Sequence, residues 1–281
     1  MGTKLAVAQF DPMRGNIEAN LARIASFVWV AREQGAQAVL FPELFTTGAS
    51  FISDDTSAAL SAWDVAEPVP GRTTEHLAEL AAEHAVLIYG SILEKRGDRI
   101  YNTGVFLSPS QGLLAAYRKI HLTPREKRIL TPGTEPVVVD TDVGRIGLTV
   151  CNDIMFPEYI RGLVLQGAQF IFTPSVFWKP VPYAANEWSL GPWHAQAVAL
   201  VRAMENAVCV VMSLGLGVDG EMMGYGHSLI VSPWGKILAS LGEGEGVTTA
   251  EVPMDRLGEW REIAPFLADR KVELYRRMLA P

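Results

Sequence analysis

Short apolar, β-branched runs alternate with longer helical patterns along nearly the whole chain, and this alternation restricts the fold more than any other feature. Residues 5–10 read as a strand. Asn16 then caps a helix to about residue 34, where Gly35 supplies the stop, with Leu21, Ile24, Val28 and Ala31 on one face. A strand at 38–41 and a helix at 74–84 follow, then closely spaced strands at 86–90, 103–107, 113–118, 137–140 and 146–150. The turn signals Ser108-Pro109-Ser110-Gln111-Gly112 and Asp142-Val143-Gly144 make hairpins within that series. The second half repeats the mixture, with helices at 156–166 and 193–206 and strands at 170–173, 208–212, 228–231, 236–239 and 247–251. Strand–helix units combined with hairpins predict an α/β fold in which mixed sheets are covered by helices. The Gly/Glu stretch at 241–246 is too short for a linker and no solenoid repeat is present, so a single domain over 1–281 is expected.

A chain of 281 residues with 49% hydrophobic composition can hide roughly 73% of its extended surface, enough for one large core without staples. The formal charge is -7, from 24 basic and 31 acidic side chains, and the densest basic neighbourhood is Arg125, Lys127 and Arg128. That balance argues against nucleic acid or an anionic membrane as partner and for a small-molecule substrate. No apolar run approaches membrane-spanning length. The start, Met1-Gly2-Thr3-Lys4, enters the first strand without a leader, so a cytoplasmic location is expected. The two cysteines, Cys151 and Cys209, are read as free thiols.

The segment Thr149-Val150-Cys151-Asn152-Asp153-Ile154-Met155-Phe156-Pro157-Glu158 ends a β-branched strand at a cysteine, and Pro157 and Glu158 suit the first turn of the next helix. The thiol is expected on a strand-to-helix turn whose backbone N–H groups stabilise oxyanion charge and lower its pKa below the usual value of about 8.5. Taken alone, such a cysteine reads as a buried residue closing a strand. Its company changes that reading. Val39-Leu40-Phe41-Pro42-Glu43 and Ala115-Ala116-Tyr117-Arg118-Lys119 each place an ionisable side chain just past a short strand, where open α/β sheets assemble their sites. Glu43, Lys119 and Cys151 together supply a carboxylate base, a fixed cation and a nucleophile, a complete set for acyl transfer.

In this order the three segments resemble the carbon-nitrogen hydrolase (nitrilase) superfamily and its Glu-Lys-Cys triad. The resemblance spans nearly the whole chain, from Ala6-Val7-Ala8-Gln9 through Tyr101-Asn102-Thr103 and Arg202-Ala203-Met204-Glu205-Asn206 to Gly226-His227-Ser228 and Pro233-Trp234-Gly235. It implies an α-β-β-α sandwich that assembles as a homodimer or higher homo-oligomer and needs no cofactor or metal. By position it makes Glu43 the general base and Cys151 the nucleophile, with Lys119 and the backbone N–H of Asn152 holding the oxyanion. The family's second glutamate matches Glu126, ahead of Thr131-Pro132-Gly133, as the residue that orients the amide or assists proton transfer. Independently, a lysine beside the thiol favours thiolate, and two glutamates in one closed pocket push the base toward a pKa useful for proton shuttling.

Cys151-Asn152-Asp153 is similar to the amidase and carbamoylase branches rather than to true nitrilases with Cys-Trp-Glu, which makes a small linear carboxamide the expected substrate. Gly191-Pro192-Trp193-His194, with Gly226-His227-Ser228, is similar to omega-amidases acting on 2-oxo acid amides; Cys-Asn-Asp with Glu126-Lys127-Arg128 resembles N-carbamoyl amino acid hydrolases. Both groups commonly carry arginine soon after the nucleophile to grip a substrate carboxylate. Here Ile154 and Met155 occupy those positions, so that bidentate contact is missing. Phe177, Trp178 and Trp188, among the aromatics after the strand at 170–173, are candidates to pack a neutral or partly apolar acyl group.

Competing classes fit less well. Gly215-Leu216-Gly217-Val218-Asp219-Gly220 spells a dinucleotide fingerprint and raises an NAD-dependent oxidoreductase, but Gly224 and Gly226 and then a strand follow where the fingerprint needs a helix. His76, His84, His121, His194 and His227 lack metal-ligand spacing, and no Gly-x-Ser-x-Gly elbow is present. A non-catalytic binding protein on the same fold is disfavoured by the intact Glu43, Lys119 and Cys151.

Overall fold

The computed structural model describes residues 2–52, 61–180, 191–219 and 222–279. The first half contains β1 (Thr3–Gln9), α1 (Ile17–Glu33), β2 (Ala38–Leu40), α2 (Ala62–Val65), α3 (Arg72–His84), β3 (Leu87–Arg96), β4 (Arg99–Ser108) and β5 (Gly112–Arg118). Next come β6 (Val138–Thr141), β7 (Gly144–Leu148), α4 (Pro157–Leu165), β8 (Phe170–Ser175), β9 (Trp178–Pro180), α5 (Pro192–Asn206) and β10 (Cys209–Leu214). The chain finishes with β11 (Leu216–Asp219), β12 (Met222–Tyr225), β13 (Leu229–Val231), β14 (Ile237–Ser240), β15 (Gly246–Val252), α6 (Leu257–Ile263) and α7 (Val272–Leu279).

Two six-stranded sheets form, in the orders β15-β1-β2-β3-β4-β5 and β14-β13-β10-β8-β7-β6. β1, β2 and β3 run parallel, as do β7, β8 and β10, and antiparallel strands flank both sets. The alternation of side chains explains the layering. Leu5 and Val7 of β1 meet Phe170 and Phe172 of β8 and Cys209 and Val211 of β10 between the sheets. The intervening Ala6 and Ala8 face Leu21, Ile24, Val28 and Ala31 of α1 and Leu77 and Ala81 of α3. On the far side, Ile171, Val210 and Met212 pack against Ile160 and Leu163 of α4 and Ala195, Ala199 and Ala203 of α5. The result is a four-layer α-β-β-α sandwich. Burying each large apolar side chain contributes about 1.5–3 kcal/mol, and a one-residue slip would reverse every inward position of a strand, so the register is strongly specified.

Polar ties join the sheets near their middle. Tyr89 Oη donates to Thr149 O at 3.0 Å and Ser213 Oγ to Ala8 O at 2.5 Å. Gly104 on the neighbouring strand is what leaves room for the Tyr89 phenol, because a Cβ there would collide with its hydroxyl. Cys209 is fully buried between the sheets as a free thiol whose pKa burial pushes up.

Three features differ from the sequence expectation. β3 continues to Arg96, beyond the expected end at residue 90; Glu94 is buried, and Thr103 Oγ1 and Arg118 donate to its carboxylate at 2.5–2.8 Å. A small third sheet, β11-β12-β9, was not expected, and Leu216–Asp219 of the glycine-rich fingerprint form β11, paired antiparallel with β12, rather than preceding a helix. The terminal helices α6 and α7 were also not expected. Among the described residues no helix is long and apolar enough to cross a membrane.

Candidate active site

Glu43, Cys151 and Val176 follow β2, β7 and β8, three of the parallel strands of the two sheets, so that one rim of the sandwich gathers their C-terminal ends. Lys119 lies one residue beyond β5. Strand alternation sends Arg118 to its ion pair with Glu94 and Lys119 to the interior, while Lys119 N donates to Asn102 O and Lys119 O accepts from Gly133 N, both at 2.9 Å. Glu126 opens a 3-10 turn, Glu126–Arg128, and is fully buried; Thr123 N donates to its Oε2 at 2.8 Å.

These side chains converge. Lys119 Nζ lies 2.8 Å from Glu43 Oε1 and 2.7 Å from Glu126 Oε1, all three groups being at most 1% exposed. Asn102 Nδ2, on β4, donates to the same two oxygens at 2.8 and 3.3 Å. Val176 N donates to Glu43 Oε2 at 3.2 Å, and the Cys151 thiol donates to Val176 O at 3.9 Å, a long bond typical of sulfur. The backbone of one residue thus links carboxylate and thiol.

Cys151 begins a 3-10 turn, Cys151–Met155, with φ +47°, a left-handed conformation that costs a non-glycine residue about 1–3 kcal/mol. Asp153 secures the turn. Its fully buried carboxylate accepts from Val150 N at 2.8 Å, Tyr117 Oη at 2.7 Å and His121 N at 2.9 Å, and His121 Nδ1 lies 2.8 Å away. Asn152 Nδ2 donates to His121 O at 3.0 Å, and the Asn152 N–H occupies the start of the turn, where such groups lack a partner from a preceding turn.

The electrostatics correct one expectation. Burial, followed by the charges of Glu43 and Glu126, pushes the Cys151 thiol well above its ordinary pKa, and the opposing pull of Lys119 is insufficient. The expected low-pKa thiolate is therefore not the resting form; desolvation outweighs the turn and the cation. Burial also raises Glu43, with Glu126 adding to it and Lys119 opposing, in the direction expected for a shuttle. Burial acts to raise Glu126 too, but Lys119 and the Thr123 bonds outweigh it and the net shift is downward. On Lys119 burial works against the charge, and Glu43, Cys151 and Glu126 together overcome it and hold the ammonium.

Of the expected pocket aromatics, Phe177 is half-buried beside Val176, against both the inter-sheet and the α4–α5 clusters. Trp178 begins β9, opposite Gly224 of β12, and Trp188 lies outside the described residues. Two residues beside these groups escaped the sequence reading of the site. Asn102 entered only as part of a resemblance, although a buried asparagine within an apolar strand is itself a signal. Tyr225 is 2% exposed, and burial and then the Cys151 charge raise its pKa. Among the described residues no His, Cys, Asp and Glu group could hold a metal ion.

A four-layer sandwich with a thiol, two carboxylates and an ammonium gathered at its strand ends belongs to the class of hydrolases that cleave carbon–nitrogen bonds other than peptide bonds. Residues 4–262 match the carbon-nitrogen hydrolase family model, and the chain belongs to that family. It is 32% identical to human omega-amidase NIT2 over 269 residues, 91% of each chain. The carbon-nitrogen hydrolase of Helicobacter pylori G27 superposes with a TM-score of 0.89 at 25% identity, covering 99% of this chain and 98% of that one. A Nesterenkonia amidase variant, carrying the acetamide moiety of fluoroacetamide on its active-site cysteine, superposes with a TM-score of 0.81 at 26% identity, covering 99% and 97%.

Proposed function

We propose that the protein hydrolyses a small, neutral linear carboxamide to a carboxylic acid and ammonia through a thioester on Cys151. The observation that carries this reading is the buried Glu43–Lys119–Glu126 cluster linked to Cys151 through Val176. Because the thiol rests protonated, attack requires a base, and Glu43 takes the thiol proton as sulfur bonds to the amide carbon. The carbonyl oxygen becomes an oxyanion held by Lys119 Nζ and Asn152 N–H. As the tetrahedral intermediate collapses, the C–N bond breaks and Glu43 returns its proton to the departing ammonia. Water then attacks the thioester, giving one proton to Glu43, which passes it to the departing thiolate. Glu126, ionised and bonded to Lys119, accepts from the substrate amide N–H and so orients it.

The omega-amidase reading is kept as the alternative because of the identity to NIT2; an N-carbamoyl amide hydrolase shares the same chemistry. Against both, Ile154 is fully buried. Arg202, which reaches this turn from α5, donates to Ile154 O, Met155 O and Glu205 rather than presenting a fork for a substrate carboxylate. Intact-mass spectrometry with a panel of amides tests the reading: acyl adducts are expected on Cys151, with aliphatic and aromatic amides turned over faster than 2-oxoglutaramate or N-carbamoyl amino acids. Strong preference for the charged substrates would sink the neutral-substrate reading and favour the alternatives.

We also propose a cytoplasmic homodimer, with its two free thiols kept reduced. Exposed Met155, Phe156, Leu165, Trp193, Val201 and Met204 give the α4–α5 layer an apolar face suited to a second copy of the chain. Light scattering after size exclusion should return twice the monomer mass, and Met204→Glu should shift it toward the monomer; a wild-type monomer at micromolar concentration would refute the assembly.

A further inference from the structure

The side-chain amide of Asn102 is wedged between the two carboxylates of the cluster. Its Nδ2 donates to Glu43 Oε1 and Glu126 Oε1, the same two oxygens that Lys119 Nζ bridges. A carboxylate oxygen offers about two acceptor sites, so Lys119 and Asn102 fill Glu43 Oε1. Glu43 Oε2 accepts from Val176 N, and Val176 is also the residue whose carbonyl receives the thiol of Cys151. From this geometry we infer that Asn102 is a positioning residue that makes Glu43 Oε2 the atom receiving the thiol proton and keeps Glu43 ionised until it does.

The choice of amide follows from the surroundings. An asparagine presents two N–H donors, one to each carboxylate, without adding charge, whereas a second cation would neutralise the base. Asn102 Oδ1 is buried and accepts no hydrogen bond among the described residues, so the residue's role here lies in its donors. The charged and titratable groups facing Glu43 are Lys119, Glu126 and Cys151, and Tyr225 in turn faces Cys151. Burial lifts Glu43 and Lys119 opposes it; the Asn102 N–H adds a second donor to the same oxygen, and donors to a carboxylate favour its charged form. Without Asn102 the ionised base exists only at higher pH.

The inference rests on the reading of Glu43 as base to Cys151, and the test separates the two. Alkylation of Cys151 by iodoacetamide is followed by intact-mass spectrometry against pH in wild type, Glu43→Gln, Asn102→Leu and Asn102→Asp, with circular dichroism as the check on folding. Wild type should show an acidic limb that Glu43→Gln abolishes. Asn102→Leu should move that limb upward by about one pH unit. Asn102→Asp should add an alkaline decline as the new carboxyl loses its donor proton and becomes a third anion. If the leucine variant does not fold, the aspartate profile decides alone: an alkaline decline supports the inference, and a wild-type profile overturns it. Folded variants that both keep the wild-type profile would reduce Asn102 to scaffold while leaving Glu43 as base. A wild-type profile that Glu43→Gln leaves unmoved would remove the base, and this inference with it.

Discussion

Cys151→Ala should reduce amide turnover by about 10⁴-fold or more while leaving the fold intact, because it removes the atom proposed to form the acyl-enzyme. The substitution deletes one buried sulfur from a side chain that is 9% exposed and leaves the Asp153 bonds that secure the turn. Alanine tolerates φ +47° no worse than cysteine does, so the thermal midpoint should move by only a few degrees. Ammonia release under saturating substrate is the measurement. Turnover within tenfold of wild type would mean that another group attacks the amide and would refute the thioester route.

Lys119→Met is the second large effect, and it combines stability with rate. In wild type the ammonium sits between two carboxylates in a cluster buried from solvent. Removing it strands their charge, and breaking such a buried pair costs about 3–5 kcal/mol. Protonation then becomes the way out: both carboxyls would take folded-state pKa values above their unfolded ones, so the native variant binds more protons than the unfolded chain. By linkage, such a variant loses stability as pH rises and regains it on acidification. The difference in thermal midpoint from wild type should therefore be larger at pH 8 than at pH 5. Loss of the proposed oxyanion cation should also cut turnover by about 10²–10³-fold. A midpoint difference independent of pH would show that the carboxylates find other compensation.

The parts of this architecture legible in the sequence are those written in local patterns. The helix stripe of Leu21, Ile24, Val28 and Ala31 and the alternation of β1 mark their own buried faces. Each of Glu43, Lys119 and Cys151 announces itself as a polar group placed just past a short apolar strand. What stayed hidden depends on non-local pairing or on the medium. The pairing of β15 with β1 joins opposite ends of the chain, and β9, at three residues including Pro180, is too short to carry a periodic signal. The link from Glu43 to Cys151 through Val176 uses main-chain atoms, which any residue supplies. The direction of the thiol shift was missed because nearby charges can be guessed from a motif, whereas desolvation depends on the completed core. Glu126 shows the same effect in reverse: its Glu-Lys-Arg setting looks solvated, and its carboxylate is fully buried.

Glu43, Asn102 and Lys119 are carried by one sheet, and Cys151 and Val176 by the other. Neither half of the sandwich therefore contains the whole of the proposed site, and its chemistry would report on the docking between them. A displacement of about one ångström along the shared face is of the order that costs an enzyme a hundredfold in rate, yet it would leave every strand and helix formed. Loss of hydrolysis should thus precede loss of secondary structure under mild denaturation, making the reaction a gauge of how the two sheets slide on each other rather than of whether they exist.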